Sequence, residues 1–182
     1  MKTESTVKYV LRLAGTLLLI TSVVAALLAG VNSITKPKID ELTAQKTQNA
    51  IEAVLPGGGE SVDFTDASGI VSTVYQGENG YAVEVAPVGF DSAITMMVGI
   101  DTEGKVLGIS VVDQSETAGL GAVCAATTSA GEAFRGQFVG MSGEVTVTKD
   151  GGEVDAITGA TITSRAVCKG GSAALACVAN MG

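Results

Sequence analysis

From residue 13 to residue 35 the chain runs for 23 positions without a charged side chain, and Leu, Val and Ala dominate the run. A helix of that length crosses the roughly 30 Å hydrocarbon core of a bilayer. The run exceeds the apolar part of a usual signal peptide, so an uncleaved anchor is expected, although Ala26 to Gly30 offers small residues of the kind cleavage sites use. Past Lys36 the pattern changes. Ile39, Leu42, Ala50, Ala53 and Val54 recur at approximately helical spacing until Pro56-Gly57-Gly58-Gly59 stops them, which predicts a helix over 39–55 with a kink or break at Pro37.

Four stretches rich in Val, Ile, Thr and Tyr follow, and they predict strands over 70–75, 80–86, 93–101 and 106–112. Asn79-Gly80 signals a hairpin between the first two, and Glu103-Gly104 suits a turn between the last two. A further hairpin is expected from 144–149 and 153–157 around Asp150-Gly151-Gly152, with short helices over 122–128 and 131–139. Phe134 and Phe138 stand four apart, the spacing of a core pair on one helix face. The last helix begins after Ser164, a suitable N-cap, and runs to about Asn180. Strands in runs with helices between and after them imply an α+β fold: an N-terminal transmembrane helix followed by antiparallel sheet packed with helices. The divisions are a 1–12 tail, a 13–35 span, a 36–59 stalk helix and linker, and a globular domain over 60–182.

Composition narrows the function. Glycine supplies 24 of 182 residues and only 16% are charged, which fits a turn-rich domain better than a helical bundle. From Lys36 onward eight basic residues face eighteen acidic ones, a net −10, so nucleic acid is excluded as a partner and flat contact with anionic lipid is disfavoured. No histidine and no Cys-x-x-Cys occurs, which removes the usual zinc and iron–sulfur ligand sets; any redox chemistry must come from an organic cofactor. Cys124, Cys168 and Cys177 read as small buried apolar residues; Cys168 and Cys177 fall on opposite faces of one helix and cannot readily bridge. Lys2, Lys8 and Arg12 before the span balance Lys36, Lys38 and Lys46 after it, so charge gives no orientation.

Two stretches carry candidate chemistry. Asp155-Ala-Ile-Thr158-Gly159-Ala160-Thr161 presents a hydroxyl just ahead of the last helix, where free N–H groups and the helix dipole favour a phosphate. Ser115-Glu116-Thr117-Ala118-Gly119-Leu120-Gly121 follows a strand; its glycines permit close backbone approach to a planar ring, Leu120 can pack on a face, and Glu116 and Thr117 can supply polar contacts. Neither stretch contains a catalytic dyad, and the second lacks the frame of a dinucleotide fingerprint.

The pattern Asp155-x-x-Thr158-Gly159-Ala160-Thr161 resembles the flavinylation motif of the FMN-binding domain family, and Glu116-Thr117-Ala118-Gly119-Leu120-Gly121 resembles that family's second loop, with Ala118 where proline is frequent. With the N-terminal anchor, the resemblance extends over nearly the whole chain to G subunits of Rnf electron-transport complexes, and more distantly to C subunits of sodium-translocating NADH:quinone reductases, which are generally longer. It implies FMN held covalently through a phosphoester on Thr161, attached by a flavin transferase that uses FAD and Mg²⁺ and reads Asp155, Thr158, Gly159 and Ala160. Ser164, Glu116, Thr117, Gly119, Leu120 and Gly121 are the further cofactor-binding candidates, and no resident metal is implied. The expected protein is a single-pass component of the cell membrane, N-terminus cytoplasmic and FMN-binding domain outside. It relays electrons among other membrane and iron–sulfur subunits of an ion-translocating ferredoxin:NAD⁺ oxidoreductase. The alternatives are a free-standing extracytoplasmic covalent flavoprotein, reductase or redox sensor, a component of a sodium-translocating NADH:quinone reductase, and an anchored binding domain without flavin.

Overall fold

The computed structural model describes residues 3–181, which form two compact units divided between Gln45 and Lys46. Helix α1 (Thr3–Val54) contains the apolar run and passes through Pro37 without ending. Proline removes one backbone donor, and a continuous helix here shows that the neighbouring turns outweigh that loss. In the first unit Leu17, Leu18, Leu19 and Ile20 are consecutive and all more than half exposed. Four successive apolar residues cover every side of a helix, so this segment has no polar face. This helix is long and apolar enough to cross a membrane. Beyond the apolar run, exposed ion pairs Lys36–Asp40 (3.3 Å) and Lys38–Glu41 (2.8 Å) lie along the helix surface.

In the second unit five strands make one antiparallel sheet in sequential order: β1 (Glu60–Val62), β2 (Val71–Gly77), β3 (Gly80–Val85), β4 (Thr95–Asp101) and β5 (Val106–Asp113). The four predicted strands are present within a few residues of the expected bounds. β1 has no counterpart in the hydrophobic pattern, because two of its three residues are exposed; it is held by pairing with β2 and by Val62, which packs against the main core. The β2–β3 turn is Glu78–Asn79, with Gly80 already paired to Gly77. Between β4 and β5, Asp101 accepts hydrogen bonds from the Glu103 and Lys105 amides at 2.9 and 2.8 Å, which fixes the turn at Glu103-Gly104.

Strand alternation gives the sheet two apolar faces. Val83, Val85, Met96, Val98 and Ile100 face the main core with Val167, Cys168, Ala174 and Leu175, while Ala82 and Met97 point the other way, onto Ala50, Ile51, Val54 and Leu55. The compact unit therefore takes in residues 46–59, which the sequence places in the stalk and linker. Burying Ile51, Val54 and Leu55 stabilises it by about 1.5–3 kcal/mol each. Helix α2 (Ser129–Gly136) starts at Thr128, whose side chain accepts from the Gly131 amide, and Phe134 and Phe138 meet edge to face at 5.5 Å as a buried pair. Ahead of it, the helix expected over 122–128 is a 3₁₀ turn, Gly121–Ala125.

Helix α3 (Thr161–Ala179) lies across the main-core face. Gly170 permits its close approach: a Cβ there would meet the Met96 methyl and sit 3.0 Å from Pro87 Cγ. The hairpin expected from 144–149 and 153–157 does not form. Ser172 of α3 instead accepts from Val145 N at 2.8 Å and donates to its carbonyl at 3.1 Å, and residues Thr148–Asp150 form a 3₁₀ turn closed by Gly151 at φ 88°. Val147 and Val154 share a single parallel bridge, and with Val145 they are buried in the main core, so their alternation reflects burial rather than a hairpin. Ser164 is not the N-cap: α3 begins three residues earlier, with Ala160 at the cap position. All three cysteines are buried and free.

Candidate functional site

Glu116 organises the first loop. Its carboxylate is buried and accepts from the Phe90 and Asp91 amides at 3.0 and 3.1 Å through Oε1, and from the Thr163 hydroxyl through Oε2. Burial alone would raise its pKa, but bonds from Thr163 and from the Asp91, Ser92 and Phe90 amides outweigh that and hold the carboxyl below the usual carboxylate range. It is thus an ionised anchor joining the 87–94 turn, the loop after β5 and the start of α3. Room for it is made by absence: a Cβ on Gly121 would lie 2.6 Å from Thr163 Oγ1 and 2.7 Å from Glu116 Oε2. The loop then closes on itself, with the Leu120 and Ala122 amides both donating to Thr117 O at 3.1 Å.

The second loop is shaped from within. Ser164 is fully buried; its hydroxyl donates to Ala160 O at 2.9 Å and accepts from Ile157 N at 3.0 Å, and Ala160 N donates to Ile157 O at 2.9 Å. Gly159 takes the left-handed φ of 76° that turns the chain into the helix, and a Cβ there would lie 3.0 Å from Leu120 Cδ2. Thr161 is the first residue of α3 and is half-buried, and no side chain caps that helix end. The first-turn N–H groups are therefore left for a ligand or water.

Between the loops is a cavity of about 370 Å³, within the usual range for small-molecule sites. Phe90, Leu120 and Ile162 are its exposed apolar walls, and Thr117, Thr161 and Lys149 supply polar groups. Lys149 Nζ donates to Thr161 Oγ1 at 3.2 Å. Next to it, Asp150 is gripped by Arg165 of α3 through two bonds of 2.6 and 2.7 Å, which hold the Asp150 carboxyl below its usual range. Apolar walls suit a planar ring, while a hydroxyl, a cation and an uncapped helix start suit a phosphate. The residues present therefore fit a flavin mononucleotide. A larger cavity of about 880 Å³, lined by Tyr81, Lys169 and Leu175 among others, contains no residue of either loop; size alone does not locate the chemistry.

Of the candidates from sequence, Glu116, Thr117, Leu120, Gly121, Gly159, Ala160 and Thr161 line the cavity together. Asp155, Thr158, Gly119 and Ser164 do not. Asp155 and Thr158 are exposed, with the Asp155 backbone held by Gln137 at 2.7 and 3.3 Å; Gly119 supplies a φ of 75° to its turn; Ser164 braces the loop from behind. Phe90, Lys149, Ile162 and Thr163 complete the lining and were not singled out by sequence. Only Lys149 left a trace there, as the sole cation between Arg135 and Arg165.

A β-meander closed by a C-terminal helix, with both loops at that helix's start, defines a flavin-nucleotide-binding domain, and residues 89–176 match the family described as the FMN-binding domain. Residues 1–54 match the family described as the RnfG N-terminal region. The G subunit of the ion-translocating oxidoreductase complex of Methanosarcina acetivorans is 35% identical, over 88% of this chain and 89% of that one. The G subunit of the Na⁺-translocating ferredoxin:NAD⁺ oxidoreductase complex of Acetobacterium woodii is 34% identical over 90% and 88%. Its counterpart in the ion-translocating oxidoreductase complex of Photorhabdus laumondii is 34% identical over 84% and 82%. The chain belongs to the G-subunit family of these ion-translocating oxidoreductase complexes.

Proposed function

We propose that Thr161 carries FMN as a phosphoester and that the chain relays electrons within an ion-translocating ferredoxin:NAD⁺ oxidoreductase complex. The observation that carries this reading is the Thr161 hydroxyl, half-buried at the first position of α3 and facing the cavity that the two loops enclose. In the attachment reaction the Thr161 oxygen attacks the phosphorus of the FMN half of FAD. The phosphoanhydride bond to AMP breaks, AMP leaves, and the hydroxyl proton passes to solvent or to a base of the transferase.

The chain's own residues bind and orient. Helix-start N–H groups would receive the phosphate, Phe90, Leu120 and Ile162 would flank the ring, and Glu116 fixes the backbone beside them. Bound flavin supplies the electron chemistry, which the protein positions and tunes. An ester also keeps the cofactor in place where free flavin is scarce, since a reversible complex would empty by mass action. The apolar run of α1 supports a single-pass anchor, and the resemblance to G subunits supports an N-terminus in the cytoplasm with the FMN-binding domain outside. Partner membrane and iron–sulfur subunits and a maturing transferase complete this reading.

The test is flavin fluorescence on a denaturing gel after co-expression with a flavin transferase. Fluorescence is expected to stay with the wild-type band and to vanish in Thr161→Ala. Equal fluorescence in Thr161→Ala would contradict the assignment.

A further inference from the structure

Lys149 stands outside both sequence motifs, yet its ammonium lies 3.2 Å from the very hydroxyl the proposed function esterifies. The placement is built rather than incidental. Lys149 sits at the centre of the Thr148–Asp150 turn, and its neighbour Asp150 is held in a two-pronged ion pair by Arg165, one helical turn beyond Thr161 on α3. Gly151 and Gly152 shape the same turn: Gly151 takes a left-handed φ, and a Cβ on Gly152 would strike the Thr146 carbonyl. One helix thus presents the hydroxyl and, four residues on, the clamp that brings a cation to it.

We infer that Lys149 is a positioning and charge-neutralising residue for the phosphate on Thr161, delivered by the Asp150–Arg165 clamp. This rests on the proposed esterification of Thr161. Before attachment, the ammonium's bond to Oγ1 fixes the hydroxyl's rotamer at the cavity mouth. As the new P–O bond forms and the bond to AMP breaks, negative charge on the non-bridging oxygens develops beside that ammonium. The phosphodiester that results keeps one negative charge, and Lys149 matches it. The surrounding charges agree: among the described residues the cavity lining holds, besides Lys149, only one ionised group, Glu116, whose carboxylate is already occupied by Phe90, Asp91 and Thr163.

The experiment is the rate of FMN attachment to the full chain in detergent, with purified flavin transferase and FAD, followed by intact mass. Wild type, Lys149→Gln, Lys149→Arg and Asp150→Asn are compared at low and high salt. Lys149→Gln is expected to slow attachment about tenfold, the scale of one charge-assisted hydrogen bond. Lys149→Arg should recover most of the rate, and Asp150→Asn should fall between. The wild-type rate should drop with salt while that of Lys149→Gln changes little. Attachment to Lys149→Gln at the wild-type rate overturns the inference alone, as does equal slowing in Lys149→Arg. A wild type that gains no mass overturns this inference and the proposed function together.

Discussion

The Glu116 carboxylate accepts a hydrogen bond from the Thr163 hydroxyl, joining the loop after β5 to the first turn of α3 across 47 residues of sequence. The same carboxylate holds the amides of Phe90 and Asp91, so three separate segments meet on one side chain. A glutamate that looks from sequence like a flavin contact is foremost the pin of the site.

Removing that pin should cost stability. Glu116→Ala strands two amides and a hydroxyl, and a loss of about 2–3 kcal/mol is expected in urea unfolding at pH 7. The pH dependence follows from the lowered pKa. Because the folded carboxyl titrates below its ordinary value of 4.5, its contribution is complete above that value and is lost as pH falls through the folded pKa. Urea midpoints from pH 7 to pH 3 should show an acid-sensitive component that Glu116→Gln reduces.

Two glycines should resist even alanine. In Gly121→Ala the new methyl meets Glu116 Oε2 and Thr163 Oγ1, and in Gly159→Ala it meets Leu120 Cδ2 in a left-handed backbone. Each should lower stability by about 1–3 kcal/mol in chemical denaturation. Adding Leu120→Ala should return the steric part of the Gly159→Ala loss and leave the backbone part.

The thiols should be silent in the folded protein. Burial pushes Cys124 up to about 11 and Cys168 up to about 12, and burial raises Cys177 as well. At pH 8 a thiol reagent should label none of them in native protein and all three in urea.

Truncation should locate the domain boundary. Residues 46–182 should fold, because they keep Ala50, Ile51, Val54 and Leu55 against Ala82 and Met97. Residues 60–182 expose that sheet face and should melt well below the longer fragment. Equal melting temperatures would show that the end of α1 adds nothing.

The contrast between legible and illegible parts has physical causes. The long apolar helix could be read because 23 uncharged residues in a row are local information, and the central strands because β-branched runs with turn signals at their ends are too. Val145, Val147 and Val154 misled for the same reason: alternation records which side chains are buried, and these pack into the main core with a single parallel bridge, Val147–Val154, in place of a hairpin. Ser164 resembled a cap because caps and buried loop braces both need a small hydroxyl. Of the site, the two motif loops were visible. Phe90 and Lys149 were not, since distant segments supply them and only the fold brings those segments to the motif loops; Ile162 and Thr163 follow Thr161 directly, but nothing local says that they line the cavity.

Intact mass of the chain matured in cells that express a flavin transferase tests the account most directly. Wild type should be heavier than the bare polypeptide by FMN less one water, and Thr161→Ala should carry no addition. A wild type with the polypeptide mass alone, or a Thr161→Ala protein that still gains it, would contradict the account.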